Sequence, residues 1–240
     1  MRKNNKKKLG VIGGMGPKAS AYFYNLVVDL TEAKVDQDHI DAIYINHASM
    51  PDRTKAILSN QTELLQELLI EDARLLEKMG ASFIAITCNT SHLFWENIQS
   101  SVSIPVVNMV KETLDYIKEK EGRKAKVGLL ATDGVVSTKV YEKFLEDDLI
   151  EILYPSAQMQ KKVMGIIYKG VKSSKMVSFN ELASVLSELK AKGCDYVILG
   201  CTELSILRNG EFDSYIVDAL DVLAKKVIHM SGAKTREKRY

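Results

Sequence analysis

Two short stretches carry the residues best suited to chemistry. Cys88-Asn-Thr-Ser-His92 and Gly200-Cys-Thr-Glu203 each set a cysteine immediately before small hydrogen-bonding residues. Free cysteines are often no more than small buried hydrophobes. Here each follows a short apolar run, Phe83–Ile86 or Tyr196–Leu199, and so stands at the end of a strand. Backbone N–H groups and a helix N-terminus at such a place favour the thiolate. Three uses are open to the pair. Cys88, His92 and Cys201 could make a three-ligand zinc site, although the cysteines are single rather than in C-x-x-C pairs. Cys88 with His92 could serve nucleophilic catalysis, which leaves the second thiol unexplained. Two thiols on opposite sides of one substrate carbon could exchange its proton, the thiolate removing it and the thiol returning one to the other face. A free thiol pKa of about 8.5, lowered modestly, serves either role near neutral pH. Cys194, at a turn entering a strand, is expected to be structural.

Met50-Pro-Asp-Arg-Thr54 follows the strand Ala42–Ile45 directly. Its Arg53 would stand at the same strand-end rim and suits bidentate carboxylate binding. A loop salt bridge to Asp52 or a helix-capping segment would use the same residues. Gly14-Met-Gly-Pro-Lys-Ala19 formally matches G-x-G-x-x-A, yet a dinucleotide fold wants an acid ending the second strand. That strand ends in Asn46 and His47. Pro17 fits the first turn of a helix whose N-terminus offers N–H groups to a small anion. No Gly-Lys-Ser/Thr follows, so the stretch is not a P-loop. His92 and Glu203 suit local hydrogen-bonding support as well as proton transfer. His39, His47 and His229 show no partner in the sequence.

The elements that must position these residues are legible. Short apolar runs at 9–12, 42–45, 83–86, 127–130 and 196–199 read as buried strands, with a further one at 104–107. Helical spacing covers 18–36, 58–79, 137–147, 157–170 and 179–192, and a final helix is expected over 213–230. Near-continuous apolar strands alternating with helices predict an α/β chain with mainly parallel sheets covered on both faces. The chain also repeats. Gly80–Cys88 lies over Gly193–Cys201 without a gap, and Leu9–Gly16 lies over Val127–Gly134. The expected fold is therefore two similar three-layer α/β/α domains related by pseudo-two-fold symmetry, with the active site between them. The first domain should comprise 1–106 plus 209–240, the last helix packing back, and the second 107–208. Ligands bind beyond the carboxyl ends of strands in such sheets, which puts Cys88 and Cys201 at equivalent places facing one cleft.

Composition narrows the function classes. The chain has 240 residues, 46% hydrophobic and 27% charged, which suffices for a globular core. Its net charge of +2 comes from the ends. Residues 1–8 carry five basic groups and no acid, and 234–240 four against one, so the ends total +8 and leave 9–233 at −6. Nucleic-acid binding needs positive charge on a folded face and is disfavoured. No apolar run approaches the roughly 18 residues of a membrane span. Three distant cysteines do not suggest a disulfide framework, and a cytoplasmic location is expected.

Taken together, Gly13-Gly-Met-Gly-Pro17, Pro51-Asp-Arg-Thr54, Cys88-Asn-Thr-Ser-His92 and Gly200-Cys-Thr-Glu203 resemble the aspartate/glutamate racemase superfamily, and within it the aspartate racemase branch. The resemblance runs from about residue 8 to 230. It implies a cofactor-independent, PLP-independent amino-acid racemase, commonly a homodimer, that takes an acidic amino acid and needs no metal or nucleotide. Cys88 and Cys201 would be the two acid/base thiols and Met15 a backbone contact to substrate. Asn89, Thr90 and Thr202 would hold the α-carboxylate and amino group, and Arg53 would bind carboxylate. Lys172, in Gly170-Val-Lys-Ser, sits where the family has a lysine for the other carboxylate. Thr132 would line the site; Thr132-Asp-Gly-Val135 departs from the family's Thr-x-Gly-Thr, which bears on a polar contact near the substrate. Ser49, His92 and Glu203 are expected as supports. The activity implied is interconversion of L- and D-aspartate, extending to glutamate or to broader specificity. Cis-trans isomerisation of a dicarboxylate, with one thiol as nucleophile and the other as acid, is the alternative within the superfamily.

Overall fold

The computed structural model describes residues 6–207 and 214–236. Its first sheet contains β1 (Leu9–Gly13), β2 (Ala42–Asn46), β3 (Phe83–Ile86) and β4 (Val106–Val107), in the order β2-β1-β3-β4. The second contains β5 (Ala125–Leu130), β6 (Ile150–Leu153), β7 (Tyr196–Leu199) and β8 (Ile216–Asp218), in the order β6-β5-β7-β8. Every pairing is parallel. β1, β3 and β7 are buried throughout, as strands covered on both faces must be, whereas edge strand β2 is half exposed. Leu9 pairs with Phe83 in one sheet and Val127 with Tyr196 in the other. Both offsets of the sequence repeat thus arrive at the same place in each half, and the expected α/β class with two similar halves is the one observed.

The helices of the first half are α1 (Pro17–Leu30), α2 (Arg53–Leu58), α3 (Glu63–Lys78) and α4 (Trp95–Ser100). α5 (Met109–Glu121) leads into the second half, with α6 (Asp133–Thr138), α7 (Ala157–Met164), α8 (Ala183–Ala191) and α9 (Thr202–Ser205), and α10 (Ala219–Met230) is the last helix among the described residues. α3 and α4 cover the outer face of the first sheet with Leu65, Leu69, Leu76 and Ile98. α7 and α8 cover that of the second with Val163, Val185 and Leu189. The inner faces share one core. Val11 and Phe83, Phe23 of α1, Leu114 of α5, Val127 and Leu129, and Leu223 of α10 belong to a single buried cluster. Burial of apolar side chains, at about 25 cal/mol per Å², therefore holds the halves to each other as well as building each one.

Several boundaries differ from those expected. β8 lies within the stretch 209–240 assigned to the first domain, yet it hydrogen-bonds to β7 in the second sheet; the return to the first half is made by α10, which packs on α1 and α5. Val107, assigned to the second domain, pairs with Ala85 in the first sheet. The helix expected over 213–230 begins at Ala219, because Ile216–Asp218 is taken as an edge strand; residue 213 lies outside the described residues. The helical spacing at 58–79 is broken by Asn60 at φ 53°. That at 137–147 is cut by Lys139 in the left-handed region at φ 51°, leaving α6 and a 3₁₀ turn, Glu142–Phe144. That at 157–170 passes from α7 into a π-helical turn, Gly165–Gly170. The basic groups at residues 2, 3, 238 and 239 lie outside the described residues. Among the described residues, no helix is long and apolar enough to cross a membrane.

Candidate active site

The carboxyl ends of four strands converge. β1 runs into Gly14-Met15, β3 into Thr87-Cys88-Asn89, β5 into Ala131-Thr132 and β7 into Gly200-Cys201-Thr202. The turn after β1 needs glycine at position 14. Its φ is +89°, and a Cβ there would stand 2.5 Å from the backbone nitrogen of His47. Each thiol-bearing turn is held by one further ladder bond, Thr87 N–H to the Ile12 carbonyl at 3.1 Å and Gly200 N–H to the Leu130 carbonyl at 2.8 Å. Together the strand ends wall a pocket of about 270 Å³, lined by Met15, Arg53, Thr54, Cys88, Asn89, Thr90, Thr132, Tyr168, Lys172, Gly200, Cys201, Thr202 and Glu203.

The halves interlock around the pocket. The Thr90 and Thr132 hydroxyls bond each other at 3.0 Å, the Thr202 hydroxyl donates to the Thr87 carbonyl at 3.3 Å, and Tyr141 Oη donates to Asn89 Oδ1 at 2.8 Å. Three buried polar atoms of lining residues nevertheless have no hydrogen-bond partner: Arg53 Nε, Asn89 Nδ2 and Glu203 Oε1. Buried polar groups in native proteins are almost always satisfied. Two donors without a hydrogen bond, and a carboxylate oxygen that faces only the Lys172 ammonium at 3.7 Å, suit a zwitterion that brings its own carboxylate and ammonium.

The two thiols have different charged neighbours. Cys201 Sγ–H donates to Glu203 Oε2 at 3.0 Å. Burial first, and the Glu203 carboxylate second, hold the Cys201 pKa well above the ordinary thiol range, so this thiol keeps its proton. Cys88 lies beside the Arg53 guanidinium. Burial works against the charge of Arg53, but Cys88, Asp52 and Glu203 outweigh it and raise the pKa, so Arg53 stays cationic. Its Nη1 donates to the Pro51 carbonyl at 3.1 Å, and among the described residues it forms no ion pair; the alternative of a loop salt bridge to Asp52 is not what forms. Lys172 behaves otherwise: its Nζ stands 3.7 Å from Glu203 Oε1 and 3.8 Å from Asp52 Oδ2.

His92 is a support. Met109 N–H donates to its Nε2 at 3.1 Å, which leaves Nδ1–H to donate to the Cys88 carbonyl at 2.9 Å. With both nitrogens engaged by backbone, the ring is a fixed neutral tautomer available neither to a metal nor to a substrate proton. Ser205 takes the equivalent place in the other half, donating to Asp218 Oδ1 at 2.7 Å where Asp218 caps α10. Each thiol turn is thereby tied to the start of a helix in the shared core. Burial is the main cause that pushes the His92 pKa down to about 4. An unfolded histidine titrates near 6.5. Between those values the unfolded chain takes a proton that the folded protein refuses. The stability contributed is therefore intact above about pH 6.5 and falls, by roughly 3 kcal/mol in all, as pH drops towards 4. Urea unfolding at pH 7 and pH 4.5 checks this: His92→Gln should start less stable and lose markedly less between the two. Equal losses would show that His92 does not set this limb.

Of the residues expected in the site, Met15, Arg53, Cys88, Asn89, Thr90, Thr132, Lys172, Cys201, Thr202 and Glu203 are brought to one pocket. Ser49 is not. It is exposed on the turn after β2, where Met50 takes the inward position in the outer core. Val135 is fully buried in the shared core and does not line the pocket. Cys194 is buried among apolar residues of the second half, in keeping with a structural thiol. His47 acquires a partner that the sequence did not suggest, Asp72 at 2.9 Å. Thr54, Tyr168 and Asp52 were missed. Thr54 is adjacent to Arg53, and Tyr168 precedes Lys172 by one helical turn, a spacing that could have flagged it.

This doubled parallel α/β fold, with a polar, thiol-bearing pocket at the strand ends between its halves, is that of the racemase-type isomerases. More particularly, the chain belongs to the Asp/Glu/Hydantoin racemase family, which matches residues 12–227. The broad specificity amino-acid racemase RacX of Bacillus subtilis is 28% identical over 222 residues, covering 92% of this chain and 96% of the relative. Among solved structures, the aspartate racemase of Picrophilus torridus superposes with a TM-score of 0.83 at 28% identity, over 96% of each chain. An aspartate racemase homologue from Pyrococcus horikoshii gives 0.75 at 26% identity, over 94% of this chain and 99% of that one.

Proposed function

We propose that the protein interconverts the L and D forms of acidic amino acids, aspartate first among them, by moving the Cα proton between Cys88 and Cys201. The observation that carries this reading is the pair of thiols from equivalent strand ends in one small pocket, beside the buried donors Arg53 Nε and Asn89 Nδ2, which have no hydrogen-bond partner. One thiolate takes the Cα proton and the opposite thiol gives its own to the other face. The product is the enantiomer, and the two sulfurs have exchanged protonation states, so the reverse reaction uses them in the opposite order. As the proton leaves, charge moves onto the substrate carboxylate. Arg53 and Lys172 meet the two carboxylates, while Asn89 Nδ2, Thr90 and Thr202 supply hydrogen bonds to the reacting end. Glu203, whose Oε1 also faces Lys172, would keep the substrate ammonium charged, which itself acidifies Cα. The pairing of Lys172 with two carboxylates, together with the likeness to a broad-specificity racemase, favours a second reading in which neutral amino acids are also accepted. Incubation with L-aspartate in D₂O tests the reaction: D-aspartate carrying deuterium at Cα is expected. Absence of both exchange and D-aspartate would remove the racemase reading for this substrate, and the same assay across neutral amino acids decides between the two readings.

A further inference from the structure

Lys172 is the one lining cation that is already matched by acids. Besides Glu203 and Asp52 it lies 4.4 Å above the ring of Tyr168, a cation–π distance. Asp52 is held in place from three sides. Its Oδ1 accepts the Lys55 N–H at 2.8 Å and so caps α2, both oxygens accept from Tyr168 Oη at 3.1 Å, and Oδ2 faces Lys172. Burial tends to raise the Asp52 pKa, but the Lys55 N–H, Lys172, Arg53 and the Tyr168 hydroxyl bring it below the usual carboxylate range, so it is anionic. Asp52 comes from the first half of the chain, and Tyr168 and Lys172 from the second. The cluster spans two spaces: Asp52, Lys172 and Glu203 line an outer recess together with Gly16, Met50 and Ser174, while Tyr168, Lys172 and Glu203 line the inner pocket. It therefore stands where the inner pocket meets the space in which a substrate side chain would extend.

We propose that Asp52 is a specificity-determining residue, a built-in competitor for the Lys172 ammonium that occupies, in the empty pocket, the place taken by the side-chain carboxylate of an acidic amino acid. The inference rests on the racemase reading, with Lys172 as the ligand of that side-chain carboxylate. An acidic substrate must share or displace Asp52. A neutral side chain leaves the Asp52–Lys172 pair intact and meets no uncompensated charge. Asp52 thereby narrows the gap between acidic and neutral substrates, because selectivity is a difference of two affinities and this contact weakens only one of them. The side chains of Lys172 and Asp52 keep 21% and 33% of their exposure, so the competition is partly screened by water and its size is modest.

Asp52→Asn isolates the charge, since Asn retains a capping oxygen for Lys55 and an acceptor for Tyr168. The probes are L-aspartate and L-2-aminobutyrate, which have the same chain length and differ in the side-chain carboxylate. KM is read from racemisation and Kd from calorimetry on the full chain. The expected result is a shift of about three- to fivefold in favour of L-aspartate in the ratio of the two constants, relative to wild type. Asp52→Ser, which also keeps a capping oxygen, should shift the ratio in the same direction. In a Lys172→Met background Asp52→Asn should leave the ratio where Lys172→Met alone puts it, because the effect runs through the ammonium. A ratio unchanged by Asp52→Asn, or a shift that survives loss of Lys172, would overturn the proposal; a general loosening of the fold would move both probes together. A wild-type protein that exchanges no amino acid in D₂O sinks the racemase reading alone, and the calorimetric ratio still decides for or against Asp52.

Discussion

Cys88→Ala and Cys201→Ala are each expected to lower racemisation of aspartate by about 10³-fold or more, in both directions, with the fold retained. The two-directional loss is the informative part. In a one-base enzyme, a thiol that merely lines the pocket could be removed at small cost, and a loss confined to one enantiomer would point to different partners on the two faces. In the proposed two-thiol reaction, inversion needs a proton taken from one face and another delivered to the opposite one. Removing either sulfur leaves one of those steps without a group, whichever enantiomer enters. The two positions are equivalent in fold, following β3 and β7. They are not equivalent in charge, since Glu203 accepts from Cys201 while Arg53 adjoins Cys88. Both thiols are buried, and alanine removes only a small side chain from each. Chiral chromatography of products from L- and D-aspartate, alongside thermal unfolding, gives the measurement. Either variant retaining racemisation within tenfold of wild type would break the two-thiol assignment.

The second large effect is expected at Arg53. Arg53→Met should reduce kcat/KM for aspartate by about 10²- to 10³-fold, in line with truncating one partner of a buried charged contact. Arg53 is 7% exposed, and its Nε has no partner in the empty pocket. Such a guanidinium is costly to hold in place unless an anion completes it. In the proposed reaction a substrate carboxylate, whose charge grows as Cα loses its proton, does so. The loss should therefore appear in kcat as well as in KM, because the contact strengthens in the transition state. Arg53→Lys keeps the charge and loses the planar fork, and should recover only part of the activity. A loss seen in KM alone, fully restored by Lys, would reduce Arg53 to a general attractor of anions.

How much of this was legible beforehand follows from how local each feature is. Four-residue apolar runs, the glycine turn before α1 and the offset repeat are written in consecutive residues, and they put Cys88 and Cys201 at matching strand ends before any coordinates. Arg53 was legible for the same reason, lying just after β2. The short edge strands β6 and β8 were not, since three or four residues at a sheet edge carry too little apolar pattern to separate from loop. Nor was the break of the helical spacing at Lys139, where tertiary packing overrides propensity.

By itself the sequence determined the doubled α/β plan, the paired thiols and the concentration of a few useful positive charges in a body that is otherwise negative. Tertiary structure alone decided how those charges are spent. Among the described residues it left Arg53 without an ion pair and gave Lys172 two, it fixed the His92 tautomer through Met109, and it joined the halves through Tyr141 and Asn89. The physical reason is distance along the chain. Asp52 and Tyr168 are 116 residues apart, and Thr87 and Thr202 are 115 apart. Which side chains meet across such separations depends on the packing of a shared core against both sheets, and that packing belongs to no single stretch of sequence.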